Sequence, residues 1–308
     1  MNDIAPAPAT EVAEDRYAGL DTWGDDAILA ALLDGQKRAL ASVDAAIPAL
    51  SRAASAAAEK LVGGGRLVYL AAGSPALMSL ADALEIPQTY GLAYDRVVLI
   101  LSDGEGIAKR LNGVREDDRD GARADVAANG VGPGDCVIAT SASGTTPYTV
   151  AGLEAAKAAG AATVGIAGNA GAPLLSLADI PVLLDAGPEV ISGSTRMGAG
   201  TAQKAALNML STLIGVKLGH VYDGLMVNVK ADNEKLRGRS ARIVSRITGA
   251  SEAEARETLN QSGGEVKPAI LIAAGAENLA QAEALLGQTN GNVRAALARL
   301  RPDAPALN

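Results

Sequence analysis

RLVYLAAG, residues 66–73, is a short, nearly continuous apolar run that closes on a glycine, and its reading decides the fold. Four further runs of the same kind follow it: RVVLILSDG from Arg96, CVIATSAS from Cys136, ATVGIAGN from Ala162 and IPVLLDAG from Ile180. Between them lie Ala-rich stretches long enough for helices. Strands that are apolar almost throughout are buried on both faces, and helical crossovers between them make the sheet parallel. The pattern predicts an α/β fold, a doubly wound five-stranded parallel sheet in three αβα layers.

Upstream, Asp25 to Val62 is Ala/Leu-rich with polar residues at helical intervals; Gly35 and Pro48 interrupt it, so two helices are expected before Gly63-Gly64-Gly65. Downstream, Thr201 to Leu218 reads as a largely buried helix ending at Gly219. From Ala241 to Leu300 the apolar repeat changes character: TGAS, QSGGE, AGAEN and QTNGN separate short helices, with no strand-like run. The expected organisation is an N-terminal arm over 1–24, the sheet domain with its preceding helices over 25–236, a small all-helical subdomain over 237–300 and a tail over 301–308.

Composition narrows the function. With 27 basic against 35 acidic residues the net charge is −8, and the basic residues form no cluster, so no nucleic-acid partner is expected. One cysteine, Cys136, rules out an intramolecular disulfide framework, and one histidine, His220, rules out a multi-histidine metal site. Cys136 reads as a buried strand residue and His220 as a charge partner for a helix C-terminus. No apolar stretch approaches the roughly 20 residues of a spanning helix, and the start of the chain lacks the basic and apolar parts of a secretory signal; a cytoplasmic protein without a membrane partner is expected.

In an open parallel sheet, ligands bind at the carboxyl ends of the strands. Three loops there combine glycine with hydroxyls just before a helix: Gly73-Ser74-Pro75, Ser141 to Pro147, and Ser192 to Arg196. N-capping alone would explain each one. Together they also suit an anion, because free backbone N–H groups and the positive helix end converge on one sheet edge. Nucleotide fingerprints fail: there is no G-x-x-x-x-G-K-[ST], and AAGSPAL after the first strand lacks the third glycine of a dinucleotide turn.

The stretches DALEIPQTYG (82–91), SGTTPY (143–148), GSTRMGAGTAQK (193–204), NMLST (208–212) and NEKL (233–236) resemble the N-acetylmuramic acid 6-phosphate etherases, a family built on a sugar isomerase (SIS) domain. The likeness runs from about Thr10 to Leu300. It implies removal of the D-lactyl ether from C3 by elimination and hydration, giving N-acetylglucosamine 6-phosphate and D-lactate in cell-wall amino-sugar recycling, with no metal or other cofactor. It implies that Glu116 takes the C2 proton, while Glu85 protonates the departing lactate oxygen and later deprotonates water. Ser74, Ser141, Ser143, Gly144, Thr145, Thr146, Ser194, Thr195 and Arg196 would bind the phosphosugar, and Asn233, Glu234 and Lys235 would border the site. A homodimer with composite sites is implied, and a C-terminal unit similar to ubiquitin-associated three-helix modules.

The pair also has a reading of its own. A proton next to a masked aldehyde needs a positioned base, and a poor alkoxide leaving group needs an acid. Glu85 stands in an apolar helix end, where an unpaired carboxylate is costly; Glu116, in REDDRDGAR, reads by itself as part of a solvated helix face. The chain departs from the family's usual G-T-S-[GA]-R-L, A-S-G-R-T-P-Y and R-M-K-A-G: here stand G-S-P-A-L-M (73–78), S-G-T-T-P-Y and R-M-G-A-G, so two arginines and a lysine are gone from loops on the ligand edge. Such losses remove charge-assisted partners for an anion. The alternative to an etherase is therefore a catalytically silent or substrate-shifted SIS-domain regulator that binds sugar phosphates.

Overall fold

The structure is a computed structural model that describes residues 9–111, 113–229 and 233–301. The first eight residues of the expected arm and residues 302–308 of the expected tail lie outside it.

All five apolar runs are strands: β1 (Leu67–Ala71), β2 (Val97–Leu101), β3 (Cys136–Ser141), β4 (Ala162–Ala167) and β5 (Ile180–Leu183). They form one parallel sheet in the order β2-β1-β3-β4-β5. Register is set around β1, where Leu67 pairs with Val97 on one side and Cys136 on the other. Every residue of β1 and β3 is buried. Cys136 is an inert part of that core, its thiol pushed up to about 12 by burial.

Alternate residues of the strands feed two layers. Val68, Leu70, Val137 and Ala139 pack with Ala122 and Val126 of α3 (Arg119–Ala128), Tyr148 and Leu153 of α4 (Pro147–Ala158), and Leu174 of α5 (Pro173–Leu177). On the sheet's other side α1 (Asp25–Val62) runs against β1, β3, β4 and β5. The expectation of two helices here is corrected: α1 is one helix of 38 residues with Pro48 inside it. Its buried positions Ala39, Val43, Ala46, Leu50, Ala53, Ala57 and Leu61 continue one stripe through the proline. Burial of that stripe outweighs the ~3 kcal/mol that a mid-helix proline costs.

Two more helices belong to this part of the chain, α2 (Ser74–Tyr90) and α6 (Gly198–Lys217). The chain divides into two compact units whose boundaries fall inside both helices: residues up to Leu84 with Asp95–Ser211, and Glu85–Tyr94 with the chain from Thr212 onward. Among the described residues, the second unit holds, besides the ends of α2 and α6, a short antiparallel pair, β6 (Val221–Tyr222) and β7 (Leu225–Met226), and the helices α7 (Glu234–Thr248), α8 (Glu252–Gln261), α9 (Val266–Ala273), α10 (Leu279–Gly287) and α11 (Val293–Leu300). Their ends match TGAS, QSGGE, AGAEN and QTNGN. Side chains of Asn233, Ser251, Asn278 and Asn292 cap α7, α8, α10 and α11, and Ser251 with Glu254 makes a full capping box. No helix among the described residues is long and apolar enough to cross a membrane.

Candidate active site

The chain leaves β1 for β2 on one side of it and then for β3 on the other. The carboxyl ends of β1 and β3 are therefore the topological switch point, where a crevice opens in folds of this kind. Ser74 begins α2 directly after Gly73 and is half-buried. The loop after β3 gathers four hydroxyls: Ser141 Oγ is 2.9 Å from Thr146 Oγ1 and 3.5 Å from Ser143 Oγ, and Thr145 Oγ1 donates to Ser143 Oγ at 2.9 Å. Asn169 donates to the Ser143 carbonyl at 3.0 Å. Gly144 turns the loop at φ +75°, and a Cβ there would meet Cβ of Ala172 at 2.5 Å.

Capping and anion binding can be told apart here. Thr146 is the N-cap of α4, yet its side chain makes no cap bond. Its hydroxyl stays in the cluster instead. The N–H groups of Gly144 and Thr145 go to Ser141 Oγ and Ser143 Oγ at 3.0 and 3.2 Å, so the hydroxyls, more than bare N–H groups, are what this loop offers an incoming oxyanion.

Glu116 meets this loop through the backbone: its carbonyl accepts from Tyr148 N–H at 2.9 Å, in the first turn of α4. The expected solvated helix face is corrected. Gly113–Arg115 is a 3-10 turn, Glu116 lies in the turn after it, and α3 begins only at Arg119 with Asp118 as its cap. Beside it, Arg115 donates to the Ser102 carbonyl and to Asp125, both at 3.0 Å, and lies 5.7 Å from the centre of the Tyr148 ring. Tyr148 closes the network by donating to Asp125 at 2.6 Å. The Glu116 side chain is half-buried against Gly73. Burial, then the nearby charges of Asp103 and Asp117, raise its pKa above the ordinary glutamate value.

The third loop differs from its expectation. Gly193 donates to the Thr10 carbonyl and Ser192 Oγ to the Glu11 carbonyl, each at 2.8 Å. The helix end behind the loop is already occupied: Glu189, buried to 4% exposure, accepts from the N–H groups of Gly198 and Ala199 at 2.8 and 2.9 Å. A carboxylate of the chain itself complements the start of α6. Ser194 and Thr195 are half-buried and Arg196 is exposed.

Glu85, Asn233, Glu234 and Lys235 fall in the second unit. Glu85 is exposed, between buried Ala83 and Ile86, so the expected cost of an unpaired buried carboxylate does not arise in this chain. Asn233 caps α7 by accepting from Leu236 N–H at 2.9 Å, Glu234 pairs with Arg256 at 3.1 Å, and Lys235 is exposed. Sequence reasoning missed Arg115, Asp125 and Glu189. No local signal marks Asp125 or Glu189, whose partners are 23 and 9 residues away.

Residues 118–213 match the SIS domain family. Among proteins similar to this chain, the N-acetylmuramic acid 6-phosphate etherase of Deinococcus radiodurans is 47% identical over 88% of this chain and 90% of that one. That of Streptomyces avermitilis is 42% identical over 88% and 87%, and that of Symbiobacterium thermophilum 46% identical over 76% and 78%.

Proposed function

The chain belongs to the N-acetylmuramic acid 6-phosphate etherase family, and from that membership we propose how its residues carry the reaction. The protein is an enzyme, a carbon–oxygen lyase that cleaves the D-lactyl ether of N-acetylmuramic acid 6-phosphate. Glu116 is the base: in the open-chain aldehyde its carboxylate takes the proton from C2. The C3–O bond breaks as Glu85 gives a proton to the lactyl oxygen, and D-lactate leaves. A 2,3-unsaturated aldehyde remains. Glu85, now a carboxylate, takes a proton from water as the hydroxyl adds to C3, and Glu116 returns the proton to C2. The observation that carries this reading is the half-buried carboxylate of Glu116 seated on Gly73 at the switch point, beside the helix that follows the hydroxyl loop. Its raised pKa makes it a stronger base than a solvated glutamate.

The hydroxyls of Ser141, Ser143, Thr145 and Thr146 take the 6-phosphate, with Ser74 at the start of α2 and Ser194, Thr195 and Arg196 from the third loop. Hydroxyl donors and a helix end here replace the arginines common in the family. Asn233, Glu234 and Lys235 border the site. A homodimer is part of the proposal: Leu29, Leu33, Leu40 and Ile47 form an exposed apolar row on α1, each at least 48% exposed. We place the reaction in the cytoplasm.

The test is release of D-lactate from N-acetylmuramic acid 6-phosphate by the purified protein, beside the unphosphorylated sugar. Lactate from the phosphorylated sugar alone is expected. Equal release from both would overturn the phosphate assignment, and release from neither would overturn the substrate.

A further inference from the structure

The second unit contains a cavity of about 460 Å³ that none of the residues used above lines. Its floor is unusual. Lys267, only 8% exposed, lines it from the first turn of α9, and no carboxylate among the described residues pairs with its ammonium. Two effects disfavour a cation there: burial, which lowers the lysine to about 8, and the positive end of the helix. A second unmet group stands nearby. His220 Nδ1 is buried without a hydrogen-bond partner, and burial together with the charge of Lys267 holds this imidazole down to about 4. It is therefore neutral and cannot serve as the helix-end charge expected from the sequence.

The ammonium lies against Gly291, a second lining residue of the cavity. A Cβ on Gly291, which turns the α10–α11 loop at φ +72°, would come within 3.2 Å of Lys267 Nζ. Glycine there keeps the approach clear. The walls are apolar, from Val227, Val229, Pro268 and Leu286, while the exposed carboxylates of Glu265 and Glu283 stand among the lining. A buried, unpaired charge is costly unless something pairs with it. The missing partner is an anion. Two lining carboxylates against one ammonium disfavour a dianion such as phosphate, and the apolar walls ask for a hydrocarbon body.

We propose that this cavity binds a small organic monocarboxylate, its carboxylate on Lys267 and its hydrocarbon part against Val227, Val229, Pro268 and Leu286. The inference goes beyond the etherase reaction and does not depend on it. The test is calorimetric titration of the full-length protein with 3-methylbutanoate, acetate and inorganic phosphate, repeated on Lys267→Met. Binding of 3-methylbutanoate, weaker binding of acetate, and at least a tenfold loss of both in Lys267→Met are expected. Affinities within twofold between the two proteins would overturn the proposal, as would phosphate bound more tightly than 3-methylbutanoate through Lys267, or no carboxylate binding at all. Glu283→Gln, at an exposed position, keeps the proposal falsifiable if Lys267→Met does not fold. It must bind 3-methylbutanoate more tightly than the wild type, and unchanged or weaker affinity would overturn the assignment.

Discussion

The carboxylate of Glu116 rests on the bare backbone of Gly73: a Cβ built on that glycine would lie 2.9 Å from both Oε1 and Oε2. In the proposed mechanism the β1–α2 turn is thus a seat for the base as well as a turn. Gly73→Ala forces the carboxylate to move, and at φ +63° the new side chain also strains the backbone. Displacement of a catalytic group by about 1 Å lowers turnover about 100-fold. We expect Gly73→Ala to lose kcat by that order with a folded protein, measured as D-lactate release beside a thermal unfolding curve. Turnover within threefold of the wild type would mean that the seat is irrelevant.

Glu116 carries a pKa raised chiefly by burial, with Asp103 and Asp117 adding to it. As the proposed base it acts deprotonated, so activity is expected to rise with pH through that raised value. Asp117 is exposed and contributes by its charge. Asp117→Asn should therefore move the acidic limb of kcat/KM to lower pH without changing the plateau; a limb that stays put, or moves up, assigns it to another group. The sign for stability is opposite to that of a salt-bridged acid. A folded-state pKa raised above the unfolded one adds stability below the unfolded value and loses it as pH rises through the folded one. At neutral pH the charged Glu116 is thus a cost, and Glu116→Gln should abolish lactate release while raising Tm by about 1–3 °C.

The sheet was legible because five apolar runs, each closed by glycine or polar residues, leave few other arrangements, and the C-terminal helices were legible because Asn and Ser caps are local signals. The break expected at Pro48 failed for a non-local reason: the stripe from Ala39 to Leu61 is buried on both sides of the proline, and burial decided. The site was legible in part. Hydroxyl loops at strand ends can be read from the chain, whereas the seat of Glu116 depends on Gly73, forty-three residues earlier by numbering, and on Arg115 reaching the carbonyl of Ser102. Glu189 at the head of α6 is the sharper case, because a buried carboxylate fills the helix end that the loop sequence offers to a ligand.

Arg115 holds the turn that presents Glu116, through Ser102, Asp118 and Asp125. In the proposed mechanism it acts through Glu116 and not on the substrate, so it is a positioning residue. Arg115→Met should lower kcat by roughly 10–100-fold and leave KM within about threefold, since the hydroxyls proposed to take the phosphate sit on the loop after β3. Arg115→Lys, which keeps the charge and loses the fork, should recover part of the loss. A rise in KM with kcat unchanged would show that the arginine binds substrate instead.

Asp82 is 3% exposed one helical turn before Glu85 and collects three donors: Tyr69 Oη at 2.6 Å, Asn208 Nδ2 at 2.5 Å and Ser211 Oγ at 2.9 Å. Burial first and then Asp82 push the Tyr69 phenol well above its ordinary range, so it stays a donor at every accessible pH. This network ties α2 and α6 to β1 through the buried Tyr69, Asp82 and Ser211 and the half-buried Asn208, and leaving a buried partner unmet costs more than the bond itself contributes. Asp82→Ala strands all three donors and should cost ~3 kcal/mol, against ~1 kcal/mol for Tyr69→Phe, which removes a single bond. The double variant should cost less than the two combined, because the tyrosine removed is one of the groups the alanine had stranded. Urea unfolding of the four proteins measures this directly, and strict additivity would show that the hydroxyl and the carboxylate do not act together.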